Sequence, residues 1–324
     1  MNSWLYFLAR LTFPPSIPET EPMDKLVHGV AADGTVRVLA ATTTDITAEA
    51  IRRHQTSPTV SAALGRMLTG TLLLGATLKD FDRLTARIEC SGPLQGIVAE
   101  ATKIGTVRGY VKNPVAELPA KPNGKFDVSG IIGEGMFHVI REAGFEIGFR
   151  PEPYIGSVPI ISGEIAEDFA YYLAKSEQIP SAVLLGVLLQ NNEPFVIAAG
   201  GVMVQMMPGA NEHIITMIED TIRHAPHVTD LIKEGATPKD LIEMALGLID
   251  YEIMEEREVR FACTCSPEKA VSMVAALGMA EVRSMLDEDK GAVMNCGFCN
   301  ETYSLNEKDL NGILLGDAET EAQN

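Results

Sequence analysis

The chain has 324 residues, of which 46% are apolar and 22% are charged, proportions that are typical of a globular protein. Forty-four acidic and 26 basic side chains give a formal net charge of −18, which disfavours binding to nucleic acids and to anionic membranes because both require a basic surface. The most apolar helix-like run, residues 67–78, is too short to cross a bilayer.

The first 22 residues differ in composition from the rest of the chain. An apolar start is interrupted by Arg10, prolines follow, and no small-residue cleavage site is present, so a secretory signal fits poorly. We expect residues 1–22 to be a disordered extension or the product of an upstream start codon, and the protein to be cytoplasmic. Closely spaced cysteines in that compartment serve metal binding or redox chemistry more often than structural disulfides.

Strand-like and helix-like segments alternate between residues 23 and 207. Ser57 and Pro58 have the residue types of a helix cap and a first helical position, and small residues follow them. Another helix is predicted from residue 163 up to Ile179, before Pro180. Period-two patterns or apolar runs predict strands at residues 35–44, 82–92, 96–101, 105–111, 182–190 and 195–207, the last two forming a hairpin. We therefore predict an α+β (mixed α/β) core domain over residues 23–207.

Residues 208–260 have a helical character. Asn211 is a candidate helix cap, and Thr237, Pro238 and Asp240 form a second cap that is close to a capping box. A charge-dense segment, residues 250–260, follows. We interpret residues 208–260 as a linker of short helices rather than a domain with its own core.

Four of the five cysteines form two close pairs near the end of the chain. Cys263 and Cys265 make a C-x-C pair, and Cys296 and Cys299 make a C-x-x-C pair after 30 intervening residues. A tetrahedral zinc site requires two such pairs, and no histidine follows His227 to replace a cysteine ligand. We predict one zinc ion per chain in a small module over residues 261–324, in which helices and two short strands surround the pairs.

Other interpretations of the cysteines fit less well. Four ordinary core cysteines would not require this pairing, and a thioredoxin-like fold cannot be completed in the 25 residues that follow Cys299. A disulfide within a C-x-C pair is strained, which indicates redox control rather than a purely structural site. Cys90 lies on the apolar face of a predicted strand, and we interpret it as a buried structural thiol.

The remaining candidate sites have simpler explanations. Three acidic residues have the residue types of paired catalytic carboxylates: Glu164, Glu167 and Asp168. The simpler explanation is that they lie at a helix N-terminus, where the helix dipole favours acidic side chains. The basic cluster 52–54 is interpreted as solvated or as fixing the core. No phosphate-binding G-x-x-x-x-G-K-[ST] motif is present. A methionine cluster could bind varied apolar partners, although core packing is the favoured explanation: Met203, Met206, Met207 and Met217.

The cysteine pattern at the end of an acidic chain resembles the heat-shock protein 33 family, the redox-regulated 33 kDa chaperonins. The resemblance extends over nearly the whole chain from Met23. Three segments are similar to core segments of that family and follow in the same order, namely TSPTVSAALGRMLTGTLLLGATLK, ISGEIAEDFAYYLAKSEQIPSAV and AAGGVMVQMMPGA.

This resemblance implies an ATP-independent holdase of the cytoplasm that binds unfolding client proteins under oxidative stress. Such a chaperone is not an enzyme, is inactive while reduced and zinc-bound, and is active when oxidised, usually as a homodimer. The resemblance also implies the ligand set Cys263, Cys265, Cys296 and Cys299, and the redox-active disulfides Cys263–Cys265 and Cys296–Cys299.

A second hypothesis belongs to a different functional class. The chain could be a non-chaperone adaptor that binds one dedicated protein and carries a purely structural zinc module. Protection of unrelated unfolding proteins from aggregation distinguishes the two, because an adaptor provides none.

Overall fold

A computed structural model describes residues 24–79, 82–142, 152–193 and 195–321, with side chains to residue 315. The described chain forms two compact units, which meet in sequence between Ala262 and Cys263. The predicted extension, residues 1–22, lies outside the described residues. Among the described helices, none has the length and apolar character needed to cross a membrane.

The first unit contains two sheets, and one of them has five strands within the described residues. These strands are β1 (Lys25–Ala31), β2 (Val36–Thr42), β8 (Ser181–Leu189), β9 (Val196–Met206) and β10 (Tyr251–Glu258). Their spatial order is β10-β1-β2-β9-β8, and every neighbouring pair is antiparallel. The pairing of β8 with β9 confirms the predicted hairpin.

The other sheet has six strands in the described part of the chain. They are β3 (Arg83–Cys90), β4 (Gly96–Thr102), β5 (Thr106–Val111), β6 (Gly135–Glu142), β7 (Tyr154–Pro159) and β11 (Arg260–Phe261). The order is β11-β5-β4-β3-β6-β7, and only the short β11 runs parallel to its neighbour.

A buried helix, α2 (Pro58–Gly75), contacts strands of both sheets and forms the centre of the main core. Its small residues permit this close packing, as predicted: a Cβ atom added to Gly70 would lie 2.5 Å from the Phe169 ring. Three further helices surround it, α1 (Thr44–His54), α3 (Val128–Ile132) and α4 (Ala166–Ser176). The predicted end of α4 at Ile179 is wrong, because Gln178 adopts a left-handed conformation (φ 58°) that ends the helix earlier.

A second core covers the other face of the five-stranded sheet. Helices α5 (Glu212–Arg223), α6 (Val228–Lys233) and α7 (Pro238–Leu246) pack there with residues of β1, β2 and β9. The predicted caps are confirmed: Asn211 accepts the backbone N–H of Ile214, and Thr237 forms a capping box with Asp240. These helices therefore cover apolar sheet surface that would otherwise face water.

One part of the predicted helical linker is a strand. We expected residues 208–260 to consist of short helices, but Tyr251–Glu258 pairs with β1 as β10. Most of its residues are exposed, so neither face carries the apolar pattern by which a strand is recognised. Backbone hydrogen bonds to β1, rather than buried side chains, hold it in the sheet.

The second unit is small and contains α8 (Pro267–Ala275), α9 (Met279–Glu288), β12 (Gly291–Asn295), β13 (Thr302–Asn306) and α10 (Glu307–Glu321). Strands β12 and β13 form the predicted hairpin, and Ser266 caps α8 as predicted. Helix α9 was not predicted. The core of this unit has five buried residues among those described: Val274, Val282, Leu305, Leu310 and Ile313.

Asp24 connects three elements of the first unit. Its buried carboxylate accepts the backbone N–H groups of Thr44 (2.9 Å) and Ile46 (2.8 Å) at the start of α1. Its backbone carbonyl accepts the N–H of Val259 (3.1 Å) directly after β10. Burial raises the pKa of the Asp24 carboxyl to about 7, although the two N–H donors act in the opposite direction.

We predict that Asp24→Asn changes the pH dependence of stability. A folded-state pKa raised above the unfolded value contributes stability that is present below about pH 4 and is lost as the pH rises through 7. The parent should therefore lose stability relative to Asp24→Asn by on the order of 1 kcal/mol per pH unit between pH 5 and 7, and no further above pH 8. Urea unfolding of both proteins across this range measures the difference, and parallel pH profiles would contradict it.

Candidate metal centre

Two local structures position the four paired cysteines. Cys263 and Cys265 precede α8, whose cap Ser266 accepts the N–H of Lys269 directly after the first pair. Cys296 and Cys299 lie in the turn that connects β12 to β13. That turn is closed by two backbone hydrogen bonds at 2.8 Å, from Cys296 N to Glu301 O and from Asn300 N to Cys296 O.

The four sulfur atoms form one cluster in which all lie within 4.8 Å of one another. Cys263 Sγ lies 3.6 Å from Cys296 Sγ, and Cys265 Sγ lies 3.3 Å from Cys299 Sγ. A tetrahedral zinc site with bonds of about 2.3 Å places its sulfurs about 3.8 Å apart. The arrangement therefore fits a four-thiolate metal site, and soft thiolate donors favour zinc over calcium or magnesium.

The crowding of the sulfurs opposes ionisation when no cation is present. Contact with the other thiols, Cys263 first, together with burial raises the pKa of the Cys299 thiol far above its usual value. Burial is also the main cause of the raised pKa of Cys265. A divalent cation would reverse this preference, because metal ligation requires the deprotonated thiolates. Four sulfurs held this closely are therefore unfavourable as free thiolates, and a bound cation would favour their deprotonation.

Tyr303 also belongs to the site, and the sequence analysis missed it. Tyr303 is the second residue of β13, and its hydroxyl donates a hydrogen bond to Cys265 Sγ at 3.1 Å. Burial and this bond raise the pKa of the Tyr303 phenol. The alternation of β13 could have placed Tyr303 and Leu305 on the inner face, but no sequence signal identifies the sulfur as the partner of the hydroxyl.

Comparison with known proteins agrees with this geometry. The family model described as Hsp33 protein matches residues 24–306. The chain belongs to the Hsp33 family. Curated 33 kDa chaperonins of Desulforamulus reducens and Bacillus subtilis are each 44% identical to the chain over 90% of its length, and the matches cover 97% and 98% of those proteins.

A solved Hsp33 structure shares the fold. The crystal structure of the 33 kDa chaperonin (heat shock protein 33 homolog) from Thermotoga maritima matches with a TM-score of 0.81 and 36% identity, over 91% of this chain and 99% of that one. The mixed α/β fold class and the family resemblance are thus confirmed. Chaperone function follows from membership of the Hsp33 family, whose curated members here are bacterial chaperonins.

The other candidate residues lie outside the cluster. Cys90 is half-buried at the end of β3 against the main core, and burial raises the pKa of its thiol.

Asp168 is buried and accepts the N–H groups of Ile161, Ser162 and Ile165, as expected of an acid at a helix N-terminus. Glu164 precedes the helix and instead pairs with Arg66 and Lys121, each at 2.7 Å.

The methionine cluster does not form an exposed surface. Met203 is completely buried in the main core. Met206, Met207 and Met217 are half-buried, and Met206 packs against the second core. Core packing therefore explains Met203, and none of the four is available as a wholly exposed contact for clients.

We predict that the reduced protein binds one zinc ion per chain and that each of the four cluster cysteines is needed for tight binding. Replacing any one of them by serine removes a thiolate and should lower the affinity at least tenfold. Cys90→Ser is the matched control and should retain the metal. Metal analysis after dialysis against a chelator measures the ratio, and loss of zinc from Cys90→Ser alone would show that the ligand assignment is wrong.

Proposed function

We propose that the chain is an ATP-independent holdase that is inactive with zinc on its four reduced cysteines and is activated by oxidation of those cysteines. The observation that carries this proposal is the cluster of four sulfurs within 4.8 Å in a chain of the Hsp33 family. The same proposal includes one zinc ion per chain and the ligand set Cys263, Cys265, Cys296 and Cys299.

The small second unit is expected to depend on the metal for its fold. Five buried residues among those described form its core, too few to stabilise a unit of this size alone. Zinc, when bound, supplies a divalent charge that stabilises the four thiolates and ties the two cysteine pairs together. Structural sites of this type contribute about 10–16 kcal/mol to folding. Oxidised sulfurs cannot serve as thiolate ligands, so oxidation removes this contribution.

The two cysteine pairs differ in how readily each closes a disulfide. The present sulfur contacts at 3.3 and 3.6 Å join one pair to the other, so a bond within a pair requires the sulfurs to turn away from these partners. Cys296 and Cys299 can do this within a turn and close a relaxed ring, whereas the C-x-C ring of Cys263–Cys265 is strained. We therefore propose that Cys296–Cys299 forms first and that Cys263–Cys265 forms after the unit has loosened.

The surface that activation exposes is proposed to be the covered face of the five-stranded sheet. Residues 208–260 are the proposed linker, and α5, α6 and α7 within it cover apolar residues of that face: Val27, Val36, Val38, Ala40, Val202 and Val204. Strand β10 connects α7 to the cysteine unit, and because its side chains are mostly exposed it buries little apolar surface that would resist release. Departure of these elements would uncover a flat apolar surface for unfolding clients.

The remaining parts of the proposal concern partners and location. Clients are unfolded or partly unfolded proteins, the oxidised form is a homodimer, and the site of action is the cytoplasm, in the stress response and without enzymatic activity. The formal charge of −18 supports the absence of nucleic acid and of anionic membranes among the partners.

Light scattering of a heat-denatured, unrelated protein tests the function. The reduced, zinc-loaded chain should leave aggregation nearly unchanged, and the peroxide-treated chain should suppress most of it at equimolar amounts. Cys90→Ser should behave as the parent in both states. If the chain protects the unrelated protein from aggregation neither before nor after oxidation, the dedicated adaptor is favoured.

Mass mapping of disulfides against time tests the order of events. The Cys296–Cys299 bond should appear first, with little protection from aggregation in the same samples. Full protection should coincide with the Cys263–Cys265 bond. Should full protection develop while Cys263 and Cys265 are still reduced, this pair does not control activation.

A further inference from the structure

Tyr303 is held in place by the hairpin that carries the second cysteine pair. It pairs with Met294 in the β12–β13 register and is 9% exposed, so its ring has little freedom to turn. From this position its hydroxyl donates to Cys265 Sγ at 3.1 Å. The hairpin that contributes Cys296 and Cys299 thus also supplies a hydrogen-bond donor to a sulfur of the other pair.

We propose that Tyr303 is a positioning residue of the redox switch, whose hydroxyl hydrogen bond delays the oxidation of Cys265 relative to the Cys296–Cys299 pair. This inference rests on the proposed function and adds a physical cause for the order of disulfide formation. Strain in the C-x-C ring acts on closure of the disulfide, whereas the Tyr303 hydrogen bond acts on the first attack of the sulfur.

The step that the hydrogen bond slows is attack on a peroxide. The Cys265 thiolate donates an electron pair to one peroxide oxygen, the O–O bond breaks, and the departing hydroxide takes a proton to become water. The Cys265 sulfenic acid that forms is then attacked by the Cys263 thiolate, which closes the disulfide and releases a second hydroxide. Together the two thiolates lose two electrons, and one peroxide molecule is reduced by them.

A hydrogen bond slows this attack because it stabilises the negative charge of the thiolate and so makes its electron pair less available. Hydrogen bonds to charged groups are stronger than those between neutral groups, and thiolate reactivity changes with about half of the corresponding change in basicity. Removing the donor should therefore speed the reaction of Cys265 about three- to tenfold. Cys299 is an internal reference, since its hydrogen bond comes from the backbone N–H of Glu301, which a side-chain change at Tyr303 leaves in place.

The test compares Tyr303→Phe with the matched control Thr302→Val. Thr302 is the neighbouring residue of β13, and its hydroxyl donates to Asn295 Oδ1 at 2.8 Å rather than to a sulfur. The reduced, zinc-loaded full chains are treated with iodoacetamide, and mass spectrometry gives the alkylation rate of each cysteine. In Tyr303→Phe the ratio of the Cys265 rate to the Cys299 rate should rise three- to tenfold, and in Thr302→Val it should stay at the parent value.

This ratio separates a specific hydrogen bond from general loosening of the unit, which would speed all four cysteines together. A common increase at all four, or an unchanged ratio in Tyr303→Phe, would overturn the inference. Cobalt-loaded protein provides a second readout: the sulfur-to-metal charge-transfer band should move to lower energy in Tyr303→Phe, because a thiolate without the donor gives up an electron more readily.

If Tyr303→Phe does not fold, or does not hold one metal ion per chain, a variant with a stronger hydroxyl donor at position 303 tests the inference instead. Incorporation of 3-fluorotyrosine at Tyr303 keeps the ring and makes the hydroxyl a better donor, so the Cys265-to-Cys299 ratio should fall below that of the parent. A ratio at or above the parent value would contradict the inference. Aggregation protection before and after oxidation tests the proposed function separately, because the alkylation ratio is measured on the reduced, zinc-loaded protein alone.

Discussion

Four sulfur atoms within 4.8 Å of one another are the constraint on which the small cysteine unit depends. The crowding raises the pKa values of Cys265 and Cys299, so the arrangement is unfavourable for free thiolates and favourable for thiolates that share a divalent cation. Because few apolar residues are buried in this unit, we propose that sulfurs held by a metal replace the core that a larger domain would have. In this proposal, a change in the oxidation state of the sulfurs acts on the fold of the whole unit.

The first unit has the opposite character. Helix α2 is buried between two sheets, and the main core around it consists of apolar side chains. The second core of this unit differs from the main core because α5, α6 and α7 form one side of it. After these helices, the chain continues through β10 and β11 to the cysteine unit. Asp24 binds the start of α1 through its carboxylate and the residue after β10 through its backbone carbonyl. In the proposed mechanism, the stable sheet remains while the cover over its apolar face is the part that can be released.

Local sequence signals predicted much of this arrangement. The caps at Asn211 and Thr237 depend on contacts within a few positions of each residue, and the hairpins join strands that follow one another in the chain, so both can be inferred from spacing. The sulfur cluster was predictable because two closely spaced cysteine pairs are the pattern of a four-thiolate metal site. Two of the missed features, β10 and the role of Tyr303, depend on residues far apart in sequence. Strand β10 is fixed by pairing with β1, more than 200 residues earlier, and Tyr303 finds its sulfur partner 38 positions away.

Hydrogen exchange of the reduced and the fully oxidised chain tests most directly whether the cysteines control the cover of the five-stranded sheet. The account predicts that oxidation removes protection from the amides of α5, α6, α7 and β10 and of the cysteine unit. Amides of β2, β9 and α2 should remain protected in the same samples. Retained protection over residues 212–258 in a fully oxidised protein that prevents aggregation would contradict the account, because clients would then bind without release of this cover.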